Sequence, residues 1–278
     1  MTQSNADQID YWNAAAGQTW ASYQQQLDRQ IAPLGEAAMA ALAPEPGQKV
    51  LDIGCGCGDT SLELARRVAP DGAVLGVDIS RPMLDVAKAR QAEAGLTGLA
   101  FREADAQTAE LRPASFDAAF SRFGVMFFND PPAAFTNIRK ALKPGARLAF
   151  VCWRPLTQNG WMLIPFQAAL KHVNPPMPGD PLAPGPFAFA DPDRVRGILG
   201  AAGFEGITIT PFDTRIGGSD LDKTLELTFR VGPLGAILRE NPQARDVVSA
   251  SIREALEAHL ENGVVMMPAA VWIVTATA

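Results

Sequence analysis

Apolar residues fall along this chain in short, β-branched runs separated by stretches of helical spacing, the pattern of strands and helices taken in turn. Val50, Leu51 and Ile53 make the first compact run, and Leu62, Leu64, Ala65 and Val68 resume at helical spacing. Gly54, Gly56 and Gly58 stand between them, so a buried strand is expected to turn through glycine into a helix. Such a turn should bring backbone N–H groups close to a ligand. Thr60 with Glu63 predicts a capping box at the helix start. Residues 74–79 repeat the strand pattern, and Ser80 with Pro82 opens a helix through Met83, Val86 and Ala87 to Gly95. Further strands are predicted at 99–106, 115–121, 147–153, 207–212 and 264–277. Residues 8–43 read as helical. Phe135, Ile138 and Leu142 mark a helix closed by Pro144-Gly145, and Asp191 opens another through Val195, Ile198 and Leu199 to Gly203. Strands that alternate with helices predict an α/β fold built on a mostly parallel sheet.

Acids placed at strand ends refine this picture. A dinucleotide-binding turn reads Gly-x-Gly-x-x-Gly, but Asp59 stands where the last glycine should fall. Asp52, just before the first glycine, would repel a pyrophosphate and suit a ligand with positive charge and no phosphate. Asp78 follows Gly54 by 24 residues, near the offset at which such units offer a carboxylate to ribose hydroxyls. Asp105 ends the third strand. Three acids at three successive strand ends should form one row along the carboxyl edge, where open α/β sheets bind ligands.

The stretch Asp52-Ile53-Gly54-Cys55-Gly56-Cys57-Gly58 resembles the first motif of the class I S-adenosylmethionine-dependent methyltransferases. The resemblance is strongest over residues 48–153. It implies a Rossmann-like, mostly parallel seven-stranded sheet with helices on both faces, its last strand antiparallel, carrying helical cap insertions. It implies S-adenosylmethionine as cofactor, with Ile79 packing on the adenine, Asp105 accepting the adenine amino hydrogen, and the Ala106 N–H reaching a ring nitrogen. Trp20, Asp52, Gly54, Cys55, Gly56, Asp78, Met83 and Ser121 complete the expected cofactor set. Tyr11, Trp12, Phe123, Met126 and Trp161 are the expected acceptor-binding residues, because the apolar loop at 122–128 should line the reaction centre. Asn129-Asp130-Pro131-Pro132 superficially matches an amino-group methyltransferase motif. It lies eight residues beyond Ser121 and lacks the aromatic, so it reads as a helix-start turn.

The expected organisation is a helical lid over 1–47, a cofactor-binding core over 48–153, and a cap insertion over 154–190. The core continues over 191–212, a second cap insertion with two helical stretches spans 213–262, and 263–278 supplies the final strand. The insertions leave the carboxyl edge and so should cover the cofactor; a packing extension or a dimer contact, in a homo-oligomer, is the alternative.

Composition narrows the partners. The 278 residues are 47% hydrophobic and 19% charged, as expected of a chain with a sizeable core. A net charge of −6 disfavours a nucleic-acid partner. Residues 1–10 carry no basic-then-apolar signal pattern, and no apolar run reaches membrane-span length, so neither a leader nor a membrane is expected. Three cysteines suit no paired disulfide framework and point to a reducing cytoplasm. Two histidines, His172 and His259, offer no metal-ligand spacing, so no metal is expected; each is a candidate base. The reading is methyl transfer to an oxygen or carbon atom of a small, fairly apolar molecule. An NAD-dependent oxidoreductase and a non-catalytic S-adenosylmethionine-binding protein are the alternatives.

Overall fold

A computed structural model describes residues 5–175, 177, 179–232 and 234–278. Residues 1–4, 176 and 178, which fall in the expected lid and first insertion, and residue 233 in the second, lie outside the described ones.

The β-branched runs form strands: β1 (Lys49–Ile53), β2 (Ala73–Asp78), β3 (Leu99–Glu103), β4 (Phe116–Arg122), β5 (Leu142–Trp153), β6 (Glu205–Ser219), the two-residue β7 (Leu260–Glu261) and β8 (Val264–Thr277). Their order is β3-β2-β1-β4-β5-β8-β6, with β7 paired to β8. The first five are parallel, and β8 runs antiparallel between β5 and β6. The chain reverses its direction of travel across the sheet between β1 and β4, and the crevice at that switch point is where ligands of such sheets bind.

Eleven α-helices are described: α1 (Ala6–Asn13), α2 (Ala15–Ser22), α3 (Gln24–Leu42), α4 (Asp59–Val68), α5 (Arg81–Ala94), α6 (Pro131–Ala141), α7 (Gly160–Ala169), α8 (Pro192–Ala201), α9 (Leu221–Arg230), α10 (Leu234–Glu240) and α11 (Arg245–Glu257). The main core joins α3, through Leu34, Ala38 and Leu42, to the sheet and to Phe120, Phe135 and Phe150, all at most 1% exposed. A second cluster gathers Ala168 of α7, Leu225 of α9, Leu238 of α10 and Val248, Ile252 and Leu256 of α11 on Val265 and Met267 of β8. The cap helices thus own a small core seated on one end of the last strand. No helix among the described residues is long and apolar enough to cross a membrane.

Several local expectations change. The helical stretch at 8–43 is three helices, broken at Ala14 and Tyr23. β5 begins at Leu142, which closes α6 rather than belonging to it, and the Pro144-Gly145 turn lies inside the strand. β6 runs seven residues past its expected end, to Ser219, so the second insertion starts later than 213 and holds three helices. Asp130 and Asp191 do cap α6 and α8, accepting from the N–H of Ala133 and Asp193.

Candidate functional site

The glycine turn after β1 folds back on itself. Gly54 N–H and Cys55 N–H both donate to Val77 O, at 2.9 and 3.1 Å, and Gly58 N–H donates to Cys55 O. Gly56 N–H donates to Asp78 Oδ2 at 2.7 Å. Four N–H groups expected to face a ligand are therefore used within the protein, and a pyrophosphate would find none of them. Gly54 sits at φ +65°, and a Cβ there would lie 2.6 Å from Gly124 Cα, so the turn admits no side chain. Asp59, in place of the third dinucleotide glycine, begins α4 and binds arginine.

The expected capping box does not form. Thr60 and Ser61 turn their hydroxyls to Asp52 Oδ2, at 2.8 and 2.6 Å, while Glu63 pairs with Arg66 and Arg67. Asp52 is fully buried beneath the turn and does not line the cavity, which corrects the expected row of three acids to two. The physical reason is depth: Asp52 pairs with Gly76, two residues before Asp78 on the same face, so it lies further from the carboxyl edge and under the Thr60 and Ser61 hydroxyls. Burial pushes Asp52 up to about 6, against the lowering effect of the Ser61 and Thr60 hydroxyls and of Arg122. Burial likewise raises Asp78, opposed by the N–H groups of Ser80, Gly56 and Ile79.

Ser80 occupies the N-cap of α5, but its hydroxyl donates to Trp12 O at 2.7 Å. Asn13 Nδ2 donates to Ile79 O, and Asn13 Oδ1 accepts from Arg81 N–H. These bonds fasten α1 to the turn that presents Asp78. Ser121, expected at the cofactor, is fully buried and lines no cavity; its Oγ donates to Ile53 O and accepts from Gly124 N–H, tying β4 to β1.

One cavity of about 270 Å³ opens at the switch point. Gly54, Asp78, Ile79, Met83, Asp105 and Ala106 line it on the sheet side, as do Tyr11, Trp12 and Trp20 from α1 and α2. Cys55 and Gly56 line instead a smaller space of about 60 Å³ that shares Trp20, Gly54 and Met83 with the first. Phe123, Met126 and Trp161, the expected acceptor residues, also line the large cavity. Phe123 holds φ +65°, a left-handed conformation that costs a non-glycine residue about 1–2 kcal/mol. Its N–H donates to Val151 O, and its ring stacks on Trp153 at 4.3 Å and 8° between planes, which keeps it there. Trp161 leans on Trp153 at 4.9 Å. Across the cavity Trp12 meets Phe127 edge-on at 5.1 Å.

Phe127 of the expected apolar loop lines the cavity too, and so do Trp153, Pro165, Phe166, Leu227 and Thr228, which the sequence did not point to. Trp153 ends β5, and a residue at a carboxyl strand end was the available signal. Nor did the sequence point to a ring of charges beside the cavity. Arg122 donates to Asp59 Oδ2 and Asp28 Oδ1, each at 2.9 Å, and Arg90 donates to the other oxygen of each, at 3.1 and 2.9 Å. All four carboxylate oxygens are matched, so α3, α4, α5 and the end of β4 are locked together. Gly35 makes room for the Arg122 stem, since a Cβ there would lie 2.8 Å from Arg122 Cδ.

Neither candidate base reaches the site. His172 is exposed in the turn after α7, His259 lies in the turn before β7, and neither lines the cavity. Among the described lining residues charge is confined to Asp78, Asp105 and Arg122. Among the described residues no three His, Cys, Asp or Glu side chains come together as a metal site.

Comparison with known proteins gives the following. A family profile described as a methyltransferase domain matches residues 50–145. Nocamycin O-methyltransferase of Saccharothrix syringae is 27% identical over 239 residues, covering 83% of this chain and 85% of that protein. Aklanonic acid methyltransferase of Streptomyces sp. strain C5 is 32% identical over 150 residues, 51% of this chain and 67% of that protein. Among solved structures the YcgJ protein of Bacillus subtilis matches in fold with a TM-score of 0.59 at 17% identity, covering 88% of this chain and 98% of that one.

Proposed function

The chain belongs to the class I S-adenosylmethionine-dependent methyltransferases, with S-adenosylmethionine as its cofactor, and we propose that it methylates an oxygen or carbon atom of a small, fairly apolar molecule. The observation that carries this reading is a single cavity with two unlike walls, glycine turn and acids on one side and aromatic rings on the other.

The residues present fit the cofactor. Gly54 packs directly on Gly124 with no room for a Cβ between them, so the loops after β1 and β4 meet as bare backbone in the cavity wall. Asp78 Oδ2 accepts from Gly56 N–H and Oδ1 from Ser80 N–H, and the carboxylate keeps lone-pair capacity for the ribose hydroxyls. Ile79 and Met83 offer apolar surface to the adenine, and Asp105 and Ala106 its polar edge. Asp52 and Asp78 beneath the turn favour positive charge above it. S-adenosylmethionine supplies a transferable methyl group on a sulfonium.

The chain's own part is positioning and exclusion of water. Phe123, Trp153 and Trp161 form a flat, rigid apolar surface suited to a planar acceptor. The cap side offers only the hydroxyls of Ser219, Thr224 and Thr228 among apolar residues, which favours an uncharged ring system over an ammonium or phosphate. With no histidine, lysine, cysteine or glutamate among the described lining residues, the acceptors that suit this site are those that ionise readily, such as acidic phenols, enols or carboxylic acids. Alignment in a dry pocket then supplies much of the acceleration. Helices α1 and α2, with Tyr11, Trp12 and Trp20, act as the lid. Small-molecule acceptors of the two named relatives support the same class. A reducing cytoplasm belongs to this reading, since Cys55, Cys57 and Cys152 are buried free thiols.

The test is release of S-adenosylhomocysteine, followed by mass spectrometry, with panels of fused-ring phenols, enols, carboxylic acids and primary amines. Turnover confined to the oxygen or carbon acceptors is expected; turnover with amines alone would overturn the acceptor class.

A further inference from the structure

Among the described residues lining the cavity, Asn5 is the one with a buried side-chain atom, Oδ1, that has no hydrogen-bond partner. Asn5 directly precedes α1 and is only 5% exposed. Leaving a buried amide carbonyl unpaired is costly, so such an atom calls for a donor that arrives with a ligand. Its position says which ligand. Asn5 stands in the wall beside Ala104, Asp105 and Ala106, and its Nδ2 donates to Asp105 Oδ1 at 3.4 Å.

That contact fixes the direction of the amide. Turning Asn5 over would set its carbonyl against a carboxylate, so Nδ2 stays on Asp105 and Oδ1 stays free. Asp105 Oδ1 also accepts from Gln107 N–H at 2.9 Å, and Oδ2 takes only a long contact of 3.4 Å from Thr108 Oγ1. Two neighbouring acceptors, Asp105 Oδ2 and Asn5 Oδ1, therefore await donors at the base end of the cavity. An exocyclic amino group carries two N–H bonds; a ring carbonyl carries none.

We propose that Asn5 is a specificity residue for the cofactor's 6-amino purine, its Oδ1 taking one amino hydrogen while Asp105 takes the other. This rests on the reading that places the adenine against Asp105. The proposal also links base recognition to the lid. Asn5 O accepts from the N–H groups of Gln8 and Ile9, both at 3.1 Å, so a base held by Asn5 steadies the first turn of the helix that carries Tyr11 and Trp12.

The test is calorimetry with S-adenosylhomocysteine and with its 6-oxo analogue, S-inosylhomocysteine, on the wild type, Asn5→Ala and Asp105→Asn, with melting of each free protein as the check on folding. The wild type should prefer the 6-amino ligand by on the order of a hundredfold. Asn5→Ala should bind S-adenosylhomocysteine about three- to tenfold more weakly and the 6-oxo ligand no more weakly, so that the preference narrows. Hydrogen exchange in residues 6–13 should then respond less to S-adenosylhomocysteine than in the wild type. If Asp105→Asn narrows the preference and Asn5→Ala does not, the role of Asn5 is refuted and the adenine placement stands. If neither variant changes the preference while S-adenosylhomocysteine still binds, the adenine lies elsewhere and both fall.

Discussion

The two walls of the cavity are held in place by different physics. On the sheet side, position is set by backbone: Gly54, Cys55 and Gly56 hand their N–H groups to β2 and Asp78, Ser121 bolts β4 to β1, and the Arg122–Asp28–Arg90–Asp59 ring closes the frame. On the cap side, position is set by side-chain packing in a separate cluster around Val248, Ile252 and Leu256. A wall made of directional bonds tolerates almost no change of shape. A wall made of packed apolar surface can change its lining and keep its fold, because volume-conserving swaps cost little. Cofactor recognition and acceptor choice are thereby assigned to parts that can vary independently.

The sharpest way to break this comparison is to put one carbon into the rigid wall. Gly54→Ala adds a Cβ 2.6 Å from Gly124 Cα at a left-handed φ, so strain and overpacking together should cost about 2–4 kcal/mol. S-adenosylhomocysteine affinity should fall by at least about a hundredfold, with a lower melting temperature. Calorimetry that finds unchanged affinity would mean the turn is softer than its hydrogen bonds imply. A smaller and selective effect is expected across the cavity. Trp161→Ala removes the ring that leans on Trp153, and KM for the acceptor should rise roughly tenfold. The dissociation constant of S-adenosylhomocysteine should stay within about twofold; equal losses for both ligands would erase the distinction between the walls.

The smallest effect concerns Asp52. Its folded pKa, about 6, lies above the ordinary carboxylate value, so the native state binds the proton more tightly than the unfolded chain. This contribution to stability is fully present below pH 4 and is lost as pH rises through 6. Asp52→Asn should therefore melt a few degrees higher than the wild type at pH 7.5, and the gap should close at pH 4. The same ionisation should make the preference for the sulfonium cofactor over its neutral demethylated product grow between pH 5 and 7.5 in the wild type only. A preference that grows equally in the variant would place its origin elsewhere.

How legible each wall was follows from the same difference. Strand bounds at 264–277, the Asp130 helix start and Asp78 at the end of β2 are readable because they depend on residues close in sequence, whereas β3 stops at Glu103 and Asp105 stands in the turn after it, held by Gln107 N–H. The charge ring is not readable, because Asp28 and Arg122 stand 94 residues apart and nothing local pairs them. The extension of β6 through Asp213, Thr214 and Arg215 was hidden because it is an edge strand with polar, exposed positions, and so lacks the apolar alternation of a central one. Thr60 and Ser80 have cap residue types at cap spacing, but each hydroxyl finds a better acceptor brought by the tertiary fold, Asp52 and Trp12 O. His172 and His259 have the chemistry of a base, but the fold leaves both outside the cavity.

The central claim is that the cofactor docks on the sheet wall under the α1–α2 lid while the cap awaits the acceptor. Hydrogen exchange with and without saturating S-adenosylhomocysteine tests it most directly. Slowed exchange is predicted in residues 53–59, 77–83 and 104–107 and in α1 and α2, with α7 and α9 unchanged. Protection confined to α7 and α9, or none in residues 6–22, would contradict the account.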